Sequence, residues 1–190
     1  MVPKLQYPPE LLLRAQGSGL GLRLAIFDVD GVLTDGQLYI GEAGETFKAF
    51  HSLDGHGLKL LLRSGLLPVL ITGRDSAAVR RRLADLGLTH AHFGVEDKLV
   101  VAEAVLAQLG LEWSEVAVMG DDWPDLPLLT RAAFACAPPN AHAEVLARVH
   151  HVTARPGGAG AAREFCDILL QASGRYAGLL AAYQGSLDGR

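Results

Sequence analysis

Acidic side chains follow two apolar runs of the sequence, at the point where each run ends. Asp28 and Asp30 come after Leu24–Phe27, and a second group comes after Val116–Met119, consisting of Asp121, Asp122 and Asp125. Carboxylates that converge from separate segments hold Mg²⁺, while water and phosphate oxygens fill its remaining positions. The acids therefore predict a magnesium site, with Asp28 and Asp121 as ligands.

Two further groups could handle a phosphoryl group beside that metal. Thr72 follows a third apolar run, Leu67–Ile71, and Lys98 lies between this run and the last acids. A hydroxyl and an ammonium can hydrogen-bond and neutralise phosphoryl oxygens in the transition state. One carboxylate can attack phosphorus while a neighbouring acid protonates the leaving alkoxide and later activates water. The Asp28-x-Asp30 pair suits this division of labour and predicts a phosphatase.

Strands must bring these positions together. Short apolar runs are typical of strands buried on both faces, and open α/β sheets bind ligands at the carboxyl ends of such strands. Strand and helix patterns alternate about five times with long connections, which predicts a three-layer α/β fold with a doubly wound parallel sheet. The predicted strands of this sheet are Leu24–Phe27, Leu67–Ile71, 91–93, Val116–Met119, Phe134–Ala137 and 151–153.

The remaining segments predict helices and one β-hairpin. The hairpin strands are predicted at 37–40 and 46–50, around a loop at 41–45 that contains glycine. A peripheral amino-terminal arm, 1–22, is predicted to hold a short helix and a flexible glycine-containing linker at 17–21. The other helices are predicted at about 58–64, 77–86, 100–109, 124–129, 141–149 and Ala161–Ala172, with a looser tail to residue 190.

Length and composition limit the kind of protein. The 190 residues, 49% of them hydrophobic, suit one domain over 1–190, since domains of this length bury roughly 70% of the unfolded surface. The net charge of −4 without long charged runs predicts no nucleic-acid surface. Neither a membrane span nor a signal peptide is expected. Two scattered cysteines, Cys136 and Cys166, favour reduced thiols and the cytoplasm.

Four motifs in order give the chain a family resemblance. Between Leu24 and Asp125 it resembles phosphatases of the haloacid dehalogenase superfamily, through Asp28-Val29-Asp30-Gly31-Val32-Leu33-Thr34-Asp35, Ile71-Thr72-Gly73-Arg74, Lys98 and Gly120-Asp121-Asp122-Trp123-Pro124-Asp125. The resemblance implies that Asp28 is the nucleophile and Asp30 the acid/base. It also implies Mg²⁺ ligands, namely Asp28, the main-chain carbonyl of Asp30 and Asp121. The resemblance further implies that the substrate is bound by Gly31, Thr72, Gly73, Arg74 and Lys98. Asp122 and Asp125 would support the metal site and Lys98.

A closer resemblance rests on three more segments. Asp35-Gly36, residues 50–57 and residues 157–164 resemble the 3-deoxy-D-manno-octulosonate 8-phosphate phosphatases. This family resemblance implies a small phosphorylated sugar acid as substrate. It also implies a homotetramer without cap domains, in which hairpins form a central barrel and a neighbour's tail closes each site. The spacing independently leaves no room for a cap, because about 37 residues separate Asp35 from Thr72 and about 26 separate Thr72 from Lys98.

One departure leaves substrate recognition open. Members of that family often carry a basic residue inside the glycine-rich segment, where this chain has Ala159. The sugar-acid carboxylate could then be bound by one of three arginines, Arg74, Arg155 or Arg163. His51 and His56 flank the segment after the hairpin and are further candidates for substrate contact.

Other functions fit part of the pattern. A 9-phosphate phosphatase of a nine-carbon sialic-type sugar acid and a broad-specificity sugar phosphatase share the same motifs. A phosphosugar-binding protein without turnover would not need the second acid, Asp30. A phospho-accepting receiver domain also combines acids, a threonine and a lysine, but its acidic pair comes near the start. Here the pair Asp121-Asp122 comes last.

Overall fold

Six parallel strands form the central sheet of this computed structural model, which describes residues 5–17 and 21–185. The sheet strands are β1 (Leu24–Phe27), β4 (Leu67–Ile71), β5 (Ala91–His92), β6 (Val116–Met119), β7 (Phe134–Ala137) and β8 (His151–Val152), and β2 (Tyr39–Gly41) pairs with β3 (Gly44–Phe47) as a separate hairpin. The sheet order is β5-β4-β1-β6-β7-β8, so strand order reverses beside β1. The predicted doubly wound α/β fold is confirmed.

Helices cover both faces of this sheet. They are α1 (Pro9–Arg14), α2 (Ser52–Ser64), α3 (Ala77–Leu86), α4 (Lys98–Leu109), α5 (Leu126–Leu129), α6 (Ala143–Leu146), α7 (Ala161–Ala172) and α8 (Tyr176–Gly185). Alternate residues of β1 enter different cores, because side chains along a strand point to opposite faces. Ala25 and Phe27 join the core that contains residues of α2, α3 and α7, whereas Leu24 and Ile26 join the core of α4, α5 and α6.

Strand register sets the level at which the polar residues emerge. Phe27, the last residue of β1, pairs with Leu70 on one side and Met119 on the other. Asp28 therefore stands level with the ends of both neighbouring strands. Thr72 and Asp121 follow those ends by one or two residues, which brings three chain segments to one edge of the sheet.

Glycines end three helices where the sequence predicts. Gly65, Gly87 and Gly110 follow α2, α3 and α4 with φ of 81°, 72° and 63°. This left-handed conformation satisfies the last helical carbonyls and favours glycine, which has no Cβ. Each helix therefore returns the chain to the sheet over a few residues.

The hairpin differs from its predicted bounds. Its strands were expected at 37–40 and 46–50 around a five-residue loop, but β2 and β3 are connected by Glu42 and Ala43 alone. Gly44 has φ of 107°, which permits the tight reversal. The rings of Tyr39 and Phe47 stack with centroids 4.3 Å apart, next to a shift in the strand pairing between Tyr39 and Ile40. The predicted loop was therefore too long.

Two predictions near the carboxyl end were also wrong in extent. The helix expected over 141–149 is only α6, which begins after His142, where the His142 ring accepts a hydrogen bond from the Glu144 backbone N–H at 3.1 Å, and ends at Leu146. The segment expected to be a looser tail contains α8, where Leu179 packs against the core of α2 and α7. The predicted tail residues 186–190, linker residues 18–20 and arm residues 1–4 lie outside the described residues.

Other general predictions have separate outcomes. Cys136 and Cys166 are buried and form no disulfide. Over residues 5–17 and 21–185, every helix is too short or too polar to cross a membrane. The assignment of all of 1–190 to one domain stays a prediction, as does the cytoplasmic location.

Candidate active site

Asp28 leaves the sheet at the point where strand order reverses. Its backbone N–H donates to the carbonyl of Met119 at 3.0 Å, and its side chain is buried. Open α/β sheets bind ligands in the crevice formed at such a reversal. The position of this carboxylate follows directly from the length and register of β1.

Lys98 places a buried ammonium against two carboxylates. Its Nζ donates to Oδ1 of Asp28 at 2.6 Å and to Oδ1 of Asp125 at 2.7 Å. Lys98 is the first residue of α4, which Asp97 caps by accepting the N–H groups of Leu99 and Val100. Burial lowers the pKa of Lys98, but Asp28 and Asp125 raise it by more, so the net shift is upward and the side chain is charged.

Asp125 also orients the loop that carries Asp121. Its Oδ2 accepts the backbone N–H groups of Asp121 at 3.0 Å and Asp122 at 3.3 Å. A Cβ at residue 120 would overlap the Asp125 side chain, so Gly120 is needed for this close approach. Asp122 caps the following turn, where its Oδ1 accepts the Trp123 N–H at 2.8 Å. The predicted supporting acids thus have distinct contacts.

Three carboxylates converge without enough positive charge to neutralise them. Oxygens of Asp28, Asp121 and Asp125 lie within 4.8 Å of one another. Burial and then Asp125 raise the pKa of Asp28 to about 7, and burial and then Asp28 raise the pKa of Asp121 to about 8. Among the described side chains, Asp121 Oδ1 is a buried oxygen without a hydrogen-bond partner. A hard divalent cation fits these oxygens.

The loop after β1 packs closely against Asp121. Gly31 has φ of 92°, and a Cβ there would overlap Oδ2 of Asp121. The Gly31 carbonyl accepts a hydrogen bond from Asn140 Nδ2 at 3.0 Å, and Asn140 Oδ1 accepts the Gly157 N–H at 2.7 Å. Asn140 therefore joins the loop of Asp28 and Asp30 to the glycine-rich segment.

We expect Gly31→Ala to impair both folding and activity more than Gly44→Ala. Both glycines have positive φ, which costs roughly 1–2 kcal/mol for alanine, but a Cβ at residue 44 meets no atom within 4 Å. The extra overlap with Asp121 should cost another ~1–3 kcal/mol of unfolding free energy. Urea unfolding and kcat/KM for an aryl phosphate measure both effects. Equal losses in the two variants would contradict this explanation.

Residues after β4 line the other side of the crevice. Thr72 is buried, and its Oγ1 accepts the Arg74 N–H at 3.4 Å. The Arg74 side chain remains 45% exposed, and Arg74 lines a cleft of about 410 Å³. The predicted residues that line this cleft are Asp28, Asp30, Thr72, Gly73, Arg74, Lys98, Asp121, Asp122 and Asp125.

The other candidate substrate contacts are placed differently. Arg163 Nε donates to Asp167 Oδ1 at 2.8 Å within α7, and the side chain of Arg155 packs over Gly160. His51 caps α2, with its Nδ1 accepting the Leu53 N–H at 3.3 Å. His56 packs edge-on against Tyr183. Within this chain, none of these four residues lines the cleft that Arg74 borders.

Sequence reasoning missed Lys48 and Glu45. The Lys48 ammonium pairs with Oδ1 of Asp30 and lies 3.2 Å from Oε2 of Glu45. Both residues belong to the hairpin region, 15 or more positions beyond Asp30 in the chain. A lysine three residues after a glutamate is an ordinary surface pattern. The sequence carried no signal that the hairpin would bring them to Asp30.

Comparisons with known proteins give one consistent result. A family model for haloacid dehalogenase-like hydrolases matches residues 94–164. The chain is 41% identical over 157 residues to a 3-deoxy-D-manno-octulosonate 8-phosphate phosphatase of Yersinia pestis, covering 83% of this chain and 84% of that protein. It is 42% identical over 154 residues to the phosphatase of the same name from Escherichia coli K12, covering 81% and 82%.

The chain is also similar to a solved structure. The 3-deoxy-D-manno-octulosonate 8-phosphate phosphatase of Moraxella catarrhalis, in complex with a magnesium ion, a phosphate ion and a KDO molecule, superposes with a TM-score of 0.86 at 38% identity. The match covers 93% of this chain and 99% of that one. Similarity thus extends over nearly the whole length of both proteins.

Proposed function

Because the chain belongs to the 3-deoxy-D-manno-octulosonate 8-phosphate phosphatase family of the haloacid dehalogenase superfamily, we propose that it hydrolyses that phosphate monoester through an aspartyl-phosphate on Asp28. One observation supports the mechanism. Lys98 Nζ donates a hydrogen bond to Oδ1 of Asp28 at 2.6 Å, and Asp28 borders the cleft. Oδ2 is then the oxygen that attacks phosphorus.

The first step transfers the phosphoryl group to the enzyme. Asp28 Oδ2 forms a bond to phosphorus while the bond from phosphorus to the sugar oxygen breaks. Asp30, protonated at this stage, gives its proton to the leaving alkoxide. Lys98 and Thr72 neutralise and hydrogen-bond the phosphoryl oxygens, where charge is redistributed in the transition state. The products of this step are the free sugar acid and phosphorylated Asp28.

The second step returns the enzyme to its starting state. Asp30, now a carboxylate, takes a proton from water, and the water oxygen attacks phosphorus. The bond from phosphorus to Asp28 breaks, which releases inorganic phosphate and restores the Asp28 carboxylate. Asp30 alternates between acid and base, so one residue serves both steps.

Mg²⁺ would be held by Asp28, whose carboxylate keeps free lone pairs beside its one hydrogen bond from Lys98, by Asp121 and by the main-chain carbonyl of Asp30, and it would supply charge stabilisation for the transferring phosphoryl group. The buried Asp121 oxygen without a hydrogen-bond partner supports this assignment. Asp125 is a weaker candidate ligand, because Lys98 and two backbone N–H groups already occupy its oxygens.

We expect Mg²⁺ to stabilise the wild-type protein by about 2.7 kcal/mol at one hundred times its Kd. For a chain of this length that corresponds to a Tm increase of roughly 5–10 °C. Asp121→Asn should lose most of this increase, because a neutral amide is a poorer ligand for a hard cation. Differential scanning fluorimetry measures the Tm increase on addition of Mg²⁺, with Asp85→Asn on the exposed face of α3 as control. A full Mg²⁺ response in Asp121→Asn would refute the ligand assignment.

Arg74 is the proposed contact for the sugar-acid carboxylate. Of the three arginines predicted for this role, it alone borders the cleft within the described chain. We expect kcat/KM to be highest for the eight-carbon substrate in a comparison with nine-carbon sugar-acid phosphates and simple sugar phosphates, since preference is a ratio of these constants. A flat profile would reject the narrow substrate and leave a broad-specificity phosphatase. A preference for the nine-carbon substrate would favour the alternative named above.

We also propose that the protein is a homotetramer assembled through its hairpins. Leu38, Ile40 and Phe47 support this proposal, because these large apolar side chains are about half exposed or more in the single chain. Apolar side chains clustered on one projecting element are typical of protein interfaces. Sedimentation velocity of the wild type would test the stoichiometry, and a stable, fully active monomer would contradict it.

A further inference from the structure

Lys48 connects the hairpin to the proposed acid/base. It directly follows β3, and its side chain is only 1% exposed although the adjacent Phe47 is 53% exposed. The ammonium contacts Oδ1 of Asp30 and lies 3.2 Å from Glu45 Oε2. A buried ammonium is costly unless it is paired, so the pairing with these two carboxylates fixes where the lysine lies.

Glu45 in turn fixes Lys48 to the loop that follows β4. Ser76 Oγ donates a hydrogen bond to Glu45 Oε1, and Ser76 also caps α3 by accepting the Val79 N–H at 3.4 Å. Arg74 Nη2 lies 4.0 Å from Glu45 Oε2. The ammonium therefore lies between Asp30 and Glu45, and Glu45 is itself held by the segment that carries Thr72, Arg74 and Ser76.

Over the described chain, the Asp30 side chain is held mainly by Lys48 and not by contacts within its own loop. Its side chain is 21% exposed toward the cleft, and Lys48 is the ion-pair partner that the described residues provide. Occupation of Oδ1 by the ammonium leaves Oδ2 to carry the proton toward the leaving oxygen, because Oδ1 of the protonated acid still accepts a hydrogen bond from Lys48. A carboxylate held by one oxygen presents the other in a defined direction, and positional errors near 1 Å can cost about 10²-fold in rate.

We propose that Lys48 is a positioning residue for proton transfer, which holds Oδ1 of Asp30 so that Oδ2 meets the oxygen of the departing alcohol. The inference rests on the proposed function, because it concerns the acid step of that reaction. It assigns the hairpin a direct part in the chemistry of its own chain. Lys48 acts through Asp30 and has no assigned contact with the substrate.

The test compares leaving groups that differ in their need for a proton. An alkoxide needs protonation as it departs, whereas 4-nitrophenolate leaves without it. We measure kcat/KM, which reports the steps up to departure of the leaving group. Lys48→Met should lower it by about 10- to 100-fold for the sugar-acid phosphate and by less than about threefold for 4-nitrophenyl phosphate.

Matched variants separate positioning from general damage. Lys59→Met removes a lysine of α2 outside the cleft and should leave both constants unchanged. Lys48→Arg keeps a cation beside Asp30 and should restore most of the selective loss. If Lys48→Met folds poorly, Lys48→Gln provides a second measurement of the ratio between kcat/KM for the sugar-acid phosphate and kcat/KM for 4-nitrophenyl phosphate. Equal losses on both substrates, or no loss on either, would overturn the positioning role.

Failure of the inference can be distinguished from failure of the proposed function. If the wild type prefers another alkyl phosphate, the substrate assignment fails and the leaving-group comparison is made with that compound. A wild-type phosphatase whose alkyl-to-aryl ratio is unaffected by Lys48→Met contradicts the inference alone. A protein without phosphatase activity on any monoester would refute both.

Discussion

Asp28→Asn should lower the rate of phosphate release by roughly 10⁴-fold or more, for sugar and aryl phosphates alike. The amide cannot act as the nucleophile, and no acid/base residue can replace the covalent step. The fold should survive the change, because an asparagine oxygen can still accept the hydrogen bond that Lys98 gives to Asp28. Removing one of three converging carboxylates also relieves the repulsion that contributes to the raised pKa of Asp121.

Two measurements check this expectation. Steady-state assays give the rates, and mass spectrometry after an acid quench should find a phosphoryl group on the Asp28 peptide of the wild type and none on the variant. Asp85→Asn, which removes an exposed carboxylate from α3, should behave like the wild type in both. Appreciable turnover by Asp28→Asn would rule out the covalent mechanism.

Lys98→Met should damage stability as well as activity. The substitution leaves Asp28 and Asp125 buried without the ammonium that lies 2.6 and 2.7 Å from them. Removing one partner of a buried ion pair costs about 3–5 kcal/mol, because the remaining buried charge loses its compensating opposite charge. We expect a loss of that size in the free energy of unfolding, and a fall in kcat of about 10²–10³-fold from lost charge stabilisation.

Urea unfolding of the metal-free protein measures the loss in the free energy of unfolding. Lys59→Met is the matched control, since it removes a lysine of α2 at a distance from the cleft, and it should change the free energy of unfolding by less than about 0.5 kcal/mol. A similarly small change for Lys98→Met would mean that the carboxylates do not depend on this ammonium in the folded protein.

The sequence predicted the sheet well because each central strand is a short apolar run that ends at a polar residue, a glycine or a proline. The bounds of β1, β4, β6 and β7 agree with those runs. Since parallel strands end at one edge, the convergence of Asp28, Thr72 and Asp121 followed from strand positions alone. Lys98 was more difficult, because its role depends on Asp97 starting α4 immediately before it.

Contacts between distant loops could not be predicted in this way. Asn140 hydrogen-bonds Gly31 across 109 positions of sequence, and Lys48 at the end of the hairpin contacts Asp30 across 18 positions. Neither contact has a characteristic spacing, because it depends on tertiary packing of loops without a repeating pattern. The hairpin bounds were wrong for a related reason, since Gly44 allows a tighter turn than residues 41–45 suggested.

The glycine-rich segment has a consequence for how this enzyme could be redesigned. A side chain would overlap the Gly31 carbonyl at residue 157, the backbone of residues 34 and 35 at residue 158, and Arg155 at residue 160. Ala159 is the one position of this stretch that already carries a Cβ, and it is partly exposed. Variant libraries aimed at new substrates should therefore diversify residue 159 and keep its three glycine neighbours, because a side chain at residue 157 or 158 would displace the loop after β1 and one at residue 160 would displace Arg155.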